Sequence, residues 1–289
     1  MAPISVFAAG KTSLITGGAS GVGLAVAQLC RKHGMRVSIA DNNAEYLAKA
    51  KETLGSKDVE TYEIDASKLD QWASLKAKVG KVDFLMLNAG IGLKGSWGDS
   101  DYFHKARRLF LDSRFFRNYI FDTNFFGVVN GLNTFVPVLQ SQDEPSTIVI
   151  TGSKQGITNP PGNVAYNASK SAVKTIAEHL NFDLKDTKTS VHLLVPGWTF
   201  TGLSGNTPGS NKEKPAGAWA AEQVADYLYK KMEQEKFYII CPDNDVTEET
   251  DKKRMMWSVG DIINERQPLS RWRKEYKDEA AKWMDQQKL

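Results

Sequence analysis

Only two cysteines, Cys30 and Cys241, occur in 289 residues. They lie far apart, in apolar surroundings and without a Cys-x-x-Cys spacing, so no disulfide framework is expected. Two reduced core thiols fit a reducing, cytoplasmic compartment. Histidine is also scarce. His33, His104, His179 and His192 are dispersed and form no His-Glu-x-x-His spacing, so no metal site is expected. No stretch approaches the ~18 apolar residues of a membrane span, and Met1 to Gly10 lacks the charged start and apolar run of a signal peptide. An excess of one charge is missing as well. Interspersed Lys and Arg total 37 against 34 Asp and Glu, a net charge of +3, which offers no basic field to nucleic acid or anionic lipid. Gln287-Lys288-Leu289 departs from the peroxisomal Ser-Lys-Leu address at its first position and is read as incidental. Asn167-Ala168-Ser169 has the glycosylation spacing but falls within the reactive helix described next, and is set aside.

What is present centres on Tyr166-Asn167-Ala168-Ser169-Lys170. At i and i+4 on a helix, Tyr166 and Lys170 share one face about a turn apart, so an ammonium can sit beside a phenol. A phenol ordinarily loses its proton near pH ~10, and a neighbouring positive charge favours the phenolate. Ser153, thirteen residues upstream of Tyr166, can donate to a substrate oxygen. The segment Gly152-Ser153 lacks a nucleophile elbow and a histidine partner, which argues against hydrolysis.

Near the start of the chain, Thr12 to Thr16 reads as a buried strand running into Gly17-Gly18-Ala19-Ser20-Gly21-Val22-Gly23. Leu24, Val26, Ala27 and Leu29 then recur at helical spacing. Such a strand, turn and helix lets backbone approach a diphosphate while the positive helix end faces it. Arg36 to Ala40 reads as a second strand ending in Asp41. A carboxylate there can accept both ribose hydroxyls of an adenosine and would repel a 2′-phosphate, which favours NAD over NADP; an N-cap role before Asn43 to Leu54 is compatible. Further strands are expected at Val59 to Ile64, Val82 to Leu87, Thr147 to Thr151, Val191 to Val195 and Phe237 to Cys241, with helices over Lys68 to Val79 and Asn163 to Lys185.

Taken together, the glycine turn from Thr16 to Gly23, Asn88-Ala89-Gly90, Asn124, Ser153, Tyr166 to Lys170 and Pro196-Gly197 resemble, in order and spacing, the short-chain dehydrogenases/reductases across about residues 10 to 242. The resemblance implies a doubly wound, Rossmann-type α/β fold: a parallel sheet of seven strands with helices on both faces, here followed by a helical C-terminal tail. It implies a catalytic set of Ser153, Tyr166, Lys170 and Asn124, the last holding a water that links the lysine to solvent. It also implies cofactor contacts at Gly17, Ser20, Gly21, Val22, Gly23, Asp41, Asp65, Ala66, Asn88, Ala89, Gly90, Tyr166, Lys170, Pro196, Gly197, Thr199 and Thr201. Asp65 is equally readable as a helix cap. The implied activity is hydride transfer between NAD and a secondary alcohol or ketone. A non-redox dehydration or cyclisation and an NAD-sensing binding protein are the alternatives.

One domain is expected over residues 1–243, extended by a helical segment over 244–289. Residues 91–123 form an insertion rich in rings, among them Trp97, Tyr102, Phe103, Phe110, Phe115, Phe116, Tyr119 and Phe121; Phe125 and Phe126 follow Asn124. These rings suit either a pocket for a bulky apolar substrate or a subunit interface. His104 reads as a surface histidine. Residues 202–217 are polar and glycine-punctuated, as a mobile lid should be, and Trp198, Phe200 and Trp219 flank them. In the tail, Met255, Met256, Val259, Ile262 and Ile263 mark one amphipathic helix, and Leu269, Trp272, Tyr276, Ala280 and Trp283 a second. A homodimer is expected, with a tetramer as the alternative.

Overall fold

Apolar strands covered on both faces must be joined by crossovers, and the chain supplies them. The computed structural model describes residues 3–92, 120–208 and 210–289. Among these, β1 (Thr12–Thr16), β2 (Arg36–Asp41), β3 (Val59–Glu63), β4 (Phe84–Leu87), β5 (Ser146–Thr151), β6 (Thr189–Val195) and β7 (Tyr238–Ile240) form one sheet in the order β3-β2-β1-β4-β5-β6-β7. All neighbours pair in parallel. The strand order reverses between β1 and β4, so a crevice opens there at the carboxyl ends. β5 and β6 begin one and two residues before the apolar runs that announce them. Hydroxyl pairs Ser146–Thr189 at 2.9 Å and Thr147–Ser190 at 2.8 Å carry the ladder past those runs.

The helices are α1 (Gly21–Lys32), α2 (Ala44–Leu54), α3 (Leu69–Val79), α4 (Gly127–Leu139), the short α5 (Lys154–Thr158), α6 (Val164–Asp183), α7 (Ala221–Glu233), α8 (Glu248–Ile263) and α9 (Lys277–Gln286). Strand side chains alternate between two cores. Ile15, Phe84, Met86 and Val149 pack with α1, α2 and α7, whereas Leu14, Leu85, Leu87, Ile148 and Ile150 pack with α3, α4 and α6. In the second core Trp72 is fully buried and its indole N–H donates to the Ala66 carbonyl at 2.8 Å. None of the described helices is long and apolar enough to cross a membrane.

Asn124 lies within a π turn, Asp122–Phe126, that leads into α4. In the tail, Met255 packs on the second core, whereas Met256, Val259, Ile262 and Ile263 of the α8 stripe stand exposed, Ile262 at 83% and Ile263 at 73%. The tail is held instead by Trp257, whose indole N–H donates to Ser270 at 2.7 Å, whose ring meets Trp283 edge-on, and which carries the Arg266 guanidinium 3.7 Å from its centroid. The second tail helix is confined to Lys277–Gln286, since Leu269 adopts a left-handed conformation and short 3-10 turns occupy Ser270–Trp272 and Lys274–Tyr276. Of the ring-rich insertion, Trp97, Tyr102, Phe103, His104, Phe110, Phe115, Phe116 and Tyr119 lie outside the described residues, whereas Phe121, Phe125 and Phe126 stack in sequence.

A Cβ at Gly131 would stand 2.5 Å from Leu87 Cδ2 and 2.8 Å from the pinned Trp72 ring. Gly131→Ala is therefore expected to lower stability by about 1–3 kcal/mol, measured as a lower urea midpoint with an unchanged slope.

Candidate active site

Most cofactor candidates and Ser153 sit at carboxyl ends of the parallel sheet or in the turns leaving it, on the side where the crevice opens, whereas Tyr166, Lys170 and Asn124 are carried by helical segments. After β1 the chain turns through Gly17 to Gly23 into α1. Gly21 has φ +52°, and a Cβ there would meet Thr201 at 3.1 Å; a Cβ at Gly23 would lie 2.2 Å from the Gly17 carbonyl. Neither place admits a side chain. Ser20 leads into α1 without a side-chain cap, so the first N–H groups of the helix, around Gly21, Val22 and Gly23, face the crevice without intrahelical partners.

Asp41 ends β2 beside this turn. Its carboxylate accepts from Ala19 N at 3.3 Å and Asn43 N at 3.2 Å. Burial pushes its pKa up, opposed by those backbone donors, and no cation is paired with it among the described residues. It does not cap α2, a role taken by Asn43, which accepts from Tyr46 N at 2.9 Å. Asp65 closes a tight turn by accepting from Ser67 N at 3.0 Å ahead of α3, and Ala66 gives its carbonyl to Trp72 and Asn130. The anion-ready helix end, the turn too narrow for side chains and the unpaired carboxylate fit a dinucleotide.

Asn88, leaving β4, binds three strands together. Its amide nitrogen donates to the carbonyls of Thr16 and Gly17 at 3.2 and 3.3 Å, and its oxygen accepts from the Thr151 hydroxyl at 3.2 Å. Ala89 N donates to Thr16 Oγ1 at 3.2 Å. Gly90 brings the next groups together, since a Cβ there would lie 3.3 Å from Asn124 Oδ1 and 3.5 Å from Lys170 Nζ.

Asn124 is fully buried, and its carboxamide is occupied. It accepts from Ile91 N at 2.8 Å and donates to Ile91 O at 3.1 Å and Ser169 Oγ at 3.2 Å. Both amide hydrogens are taken, so the water expected from the resemblance cannot be held by them.

Ser153 leaves β5 as the N-cap of α5, accepting from Gln155 N at 3.2 Å. Tyr166 and Lys170 lie a turn apart on α6 as expected. The Lys170 ammonium lies 6.0 Å from the Tyr166 ring centroid and donates to the Thr151 carbonyl at 2.8 Å. Burial pushes it down to about 8. Burial also raises the Tyr166 phenol, and the neighbouring Ser153 hydroxyl opposes this rise.

After β6, the Pro196 carbonyl accepts from Lys154 N at 3.2 Å, and Gly197 packs onto the Lys154 side chain. Thr199 is tied to Trp219 by a backbone bridge, and Thr201 lies over Gly21. Trp219 meets Tyr227 edge-on. The segment expected as a lid starts with a 3-10 turn, Gly202–Ser204, held by the Ser204 hydroxyl donating to Thr199 O at 2.8 Å. Leu203 lies against Gly92. Pro196 to Leu203 thus lean over the glycine turn from the β6 side.

A family model described as short chain dehydrogenase matches residues 11–211. The chain belongs to that family. Among relatives of this short-chain dehydrogenase, a 1-deoxy-11-beta-hydroxypentalenate dehydrogenase of Streptomyces avermitilis is 27% identical over 257 residues, 86% of this chain and 90% of the relative. An NADP-dependent (R)-specific alcohol dehydrogenase of Lentilactobacillus kefiri is 29% identical over 210 residues, 70% of this chain and 79% of the relative. A short-chain dehydrogenase/reductase from Burkholderia phymatum, crystallised with NAD, superposes with a TM-score of 0.76 at 26% identity, covering 91% of this chain and 98% of that one.

One residue escaped the sequence reading. Lys154, next to Ser153, forms ion pairs with Asp243 at 3.0 Å and with Asp251 at 2.8 Å. Its partners lie so far along the chain that no local spacing signals them.

A lysine whose folded pKa is depressed destabilises the fold while it is charged, and the penalty is relieved as pH rises from the folded to the unfolded value. For Lys170 that window runs from about 8 to 10.5, and the penalty at pH 7 is about 3 kcal/mol before the Thr151 hydrogen bond is counted. Lys170→Met should therefore unfold at a higher temperature than the wild type at pH 7. The difference should shrink as pH rises through that window, as scanning calorimetry in a pH series would show.

Proposed function

We propose that this short-chain dehydrogenase uses NAD to oxidise a secondary alcohol or reduce the corresponding ketone on a bulky apolar molecule. The observation that carries the reading is the Tyr166 phenol, beside the Ser153 hydroxyl and one helical turn from the buried Lys170 ammonium, next to a glycine turn with no room for side chains. Both Ser153 and Tyr166 are partly exposed, so a substrate oxygen can reach them.

Bound nicotinamide supplies the hydride acceptor in oxidation and the donor in reduction. In oxidation Tyr166, as phenolate, takes the hydroxyl proton; in reduction it returns that proton to the carbonyl oxygen. Ser153 donates to the same oxygen and steadies the charge that develops there. Lys170 favours the phenolate and holds the cofactor ribose, and Asn124, whose carboxamide fixes Ile91 and Ser169, marks the proton outlet to solvent. Gly17, Ser20, Gly21, Val22 and Gly23 hold the diphosphate, Asp65 and Ala66 the adenine edge, and Asn88, Ala89 and Gly90 the floor between the two ends. Pro196, Gly197, Thr199 and Thr201 hold the nicotinamide end.

Asp41 supports NAD, because an unpaired carboxylate repels a 2′-phosphate. The relatives themselves divide, one being named for NADP and another crystallised with NAD. Ile91, Phe121 and Tyr166 pack around Ile120 and Ala165, and Trp198 and Leu203 stand half-exposed where the chain leaves β6; these apolar groups support a bulky apolar substrate. An apolar groove between α4 and α6, lined by Val129, Leu132, Val136, Ile176 and Leu180, supports pairing as a homodimer. Cys30 and Cys241 are buried free thiols that burial pushes up to about 12, in keeping with a reducing, cytoplasmic setting.

Absorbance of NADH, followed with a panel of hydrophobic ketones, tests the reading. Consumption of NADH with alcohol formation is the expected result, and product without consumption would overturn it. Tyr166→Phe should lower turnover by about 10²–10⁴-fold while NADH binding, read by fluorescence, stays within about twofold. Asp41→Ala should raise the use of NADPH relative to NADH by about tenfold or more. A wild type already preferring NADPH would refute the cofactor assignment.

A further inference from the structure

Lys154 sits where three separate parts of the chain meet. Its backbone N–H donates to the Pro196 carbonyl, and its ammonium pairs with Asp243 just after β7 and with Asp251 in the first turn of α8. The side chains are 12%, 7% and 0% exposed respectively. Asp243 is doubly committed, since the oxygen that meets Lys154 also accepts from Trp198 N at 3.1 Å. Gly197 lies flat on the pair: a Cβ there would stand 2.8 Å from Asp243 Oδ2, Lys154 Cε and Lys154 Nζ alike. Asp251 in turn bonds Arg254 at 3.1 Å. Burial pushes Asp243 up, yet the Lys154 ammonium and the Trp198 N–H outweigh it and hold the carboxyl below its usual range.

An ion pair removed from water holds one geometry, because loss of either partner leaves a bare buried charge. This one joins the residue after Ser153 to the turn after β6 and to a helix beyond the last strand. We infer that Lys154 is a positioning residue, clamped by Asp243 and Asp251, that fixes the Ser153 hydroxyl against the Pro196–Trp198 turn and makes α8 a working part of the active site. The inference rests on the function proposed above for Ser153.

A double-mutant cycle in the full chain tests it. Asp251→Asn should lower kcat for ketone reduction by about tenfold, with the NADH dissociation constant held within about twofold. In a Ser153→Ala background the same substitution should change kcat by no more than about twofold. An equal loss in both backgrounds, or no loss in either, would overturn the inference. Should Asp251→Asn fail to fold, Lys154→Arg keeps the charge, replaces the compact ammonium by a planar fork, and is held to the same two comparisons. Hydrogen exchange separates this inference from the proposed activity. If the wild type reduces no ketone, faster exchange in the variant confined to residues 153–156 and 197–198 still supports the clamp, whereas unchanged or uniformly faster exchange refutes it.

Discussion

The Asn88 carboxamide is the fastening on which the crevice depends. One side chain reaches the carbonyls that end β1, follows β4, and takes the hydroxyl that ends β5. The same Thr151 whose hydroxyl Asn88 accepts gives its carbonyl to Lys170. The glycine turn and the buried ammonium are thereby referred to a single planar amide, with all of its hydrogen-bonding directions set by sheet geometry. Parallel pairing places the three strand ends side by side, but it does not by itself fix their relative depth. Asn88 does.

Two ionisable groups lie near that fastening, and burial acts on both in the direction of neutrality. The lysine is pushed down to about 8 and the tyrosine up, so their values move apart and the phenol keeps its proton to higher pH than the ammonium. The serine hydroxyl contributes twice, beside the phenol and as the cap that starts α5. Its position is thus set by backbone as well as by side-chain contacts.

Much of this architecture was legible in the residues. Buried parallel strands read as continuous apolar runs, and glycine, asparagine and proline-glycine punctuation marks where those runs end, so strand limits and carboxyl-end loops were placed within a few residues. What could not be read depended on contacts between distant parts of the chain. Asn124 bonds Ile91, 33 residues earlier, from within a π turn. The inner face of α8 is held by Trp257, Asp261 and Ser270 locking together, whereas most of its apolar stripe stands exposed. The electrostatics of Tyr166 and Lys170 depend on burial, and spacing on a helix says nothing of that. Lys154 carries no local signal beside Ser153, because its partners Asp243 and Asp251 lie far along the chain.

The carboxylates that meet Lys154 come late in the polypeptide, at positions 243 and 251 of 289. During synthesis the earlier strands can pair and collapse as they emerge, but the lysine then lies in a closing interior with no counter-charge. The Lys154 corner is therefore complete only once residues 243–251 are in place, and a chain cut short before them would leave that cation without either carboxylate.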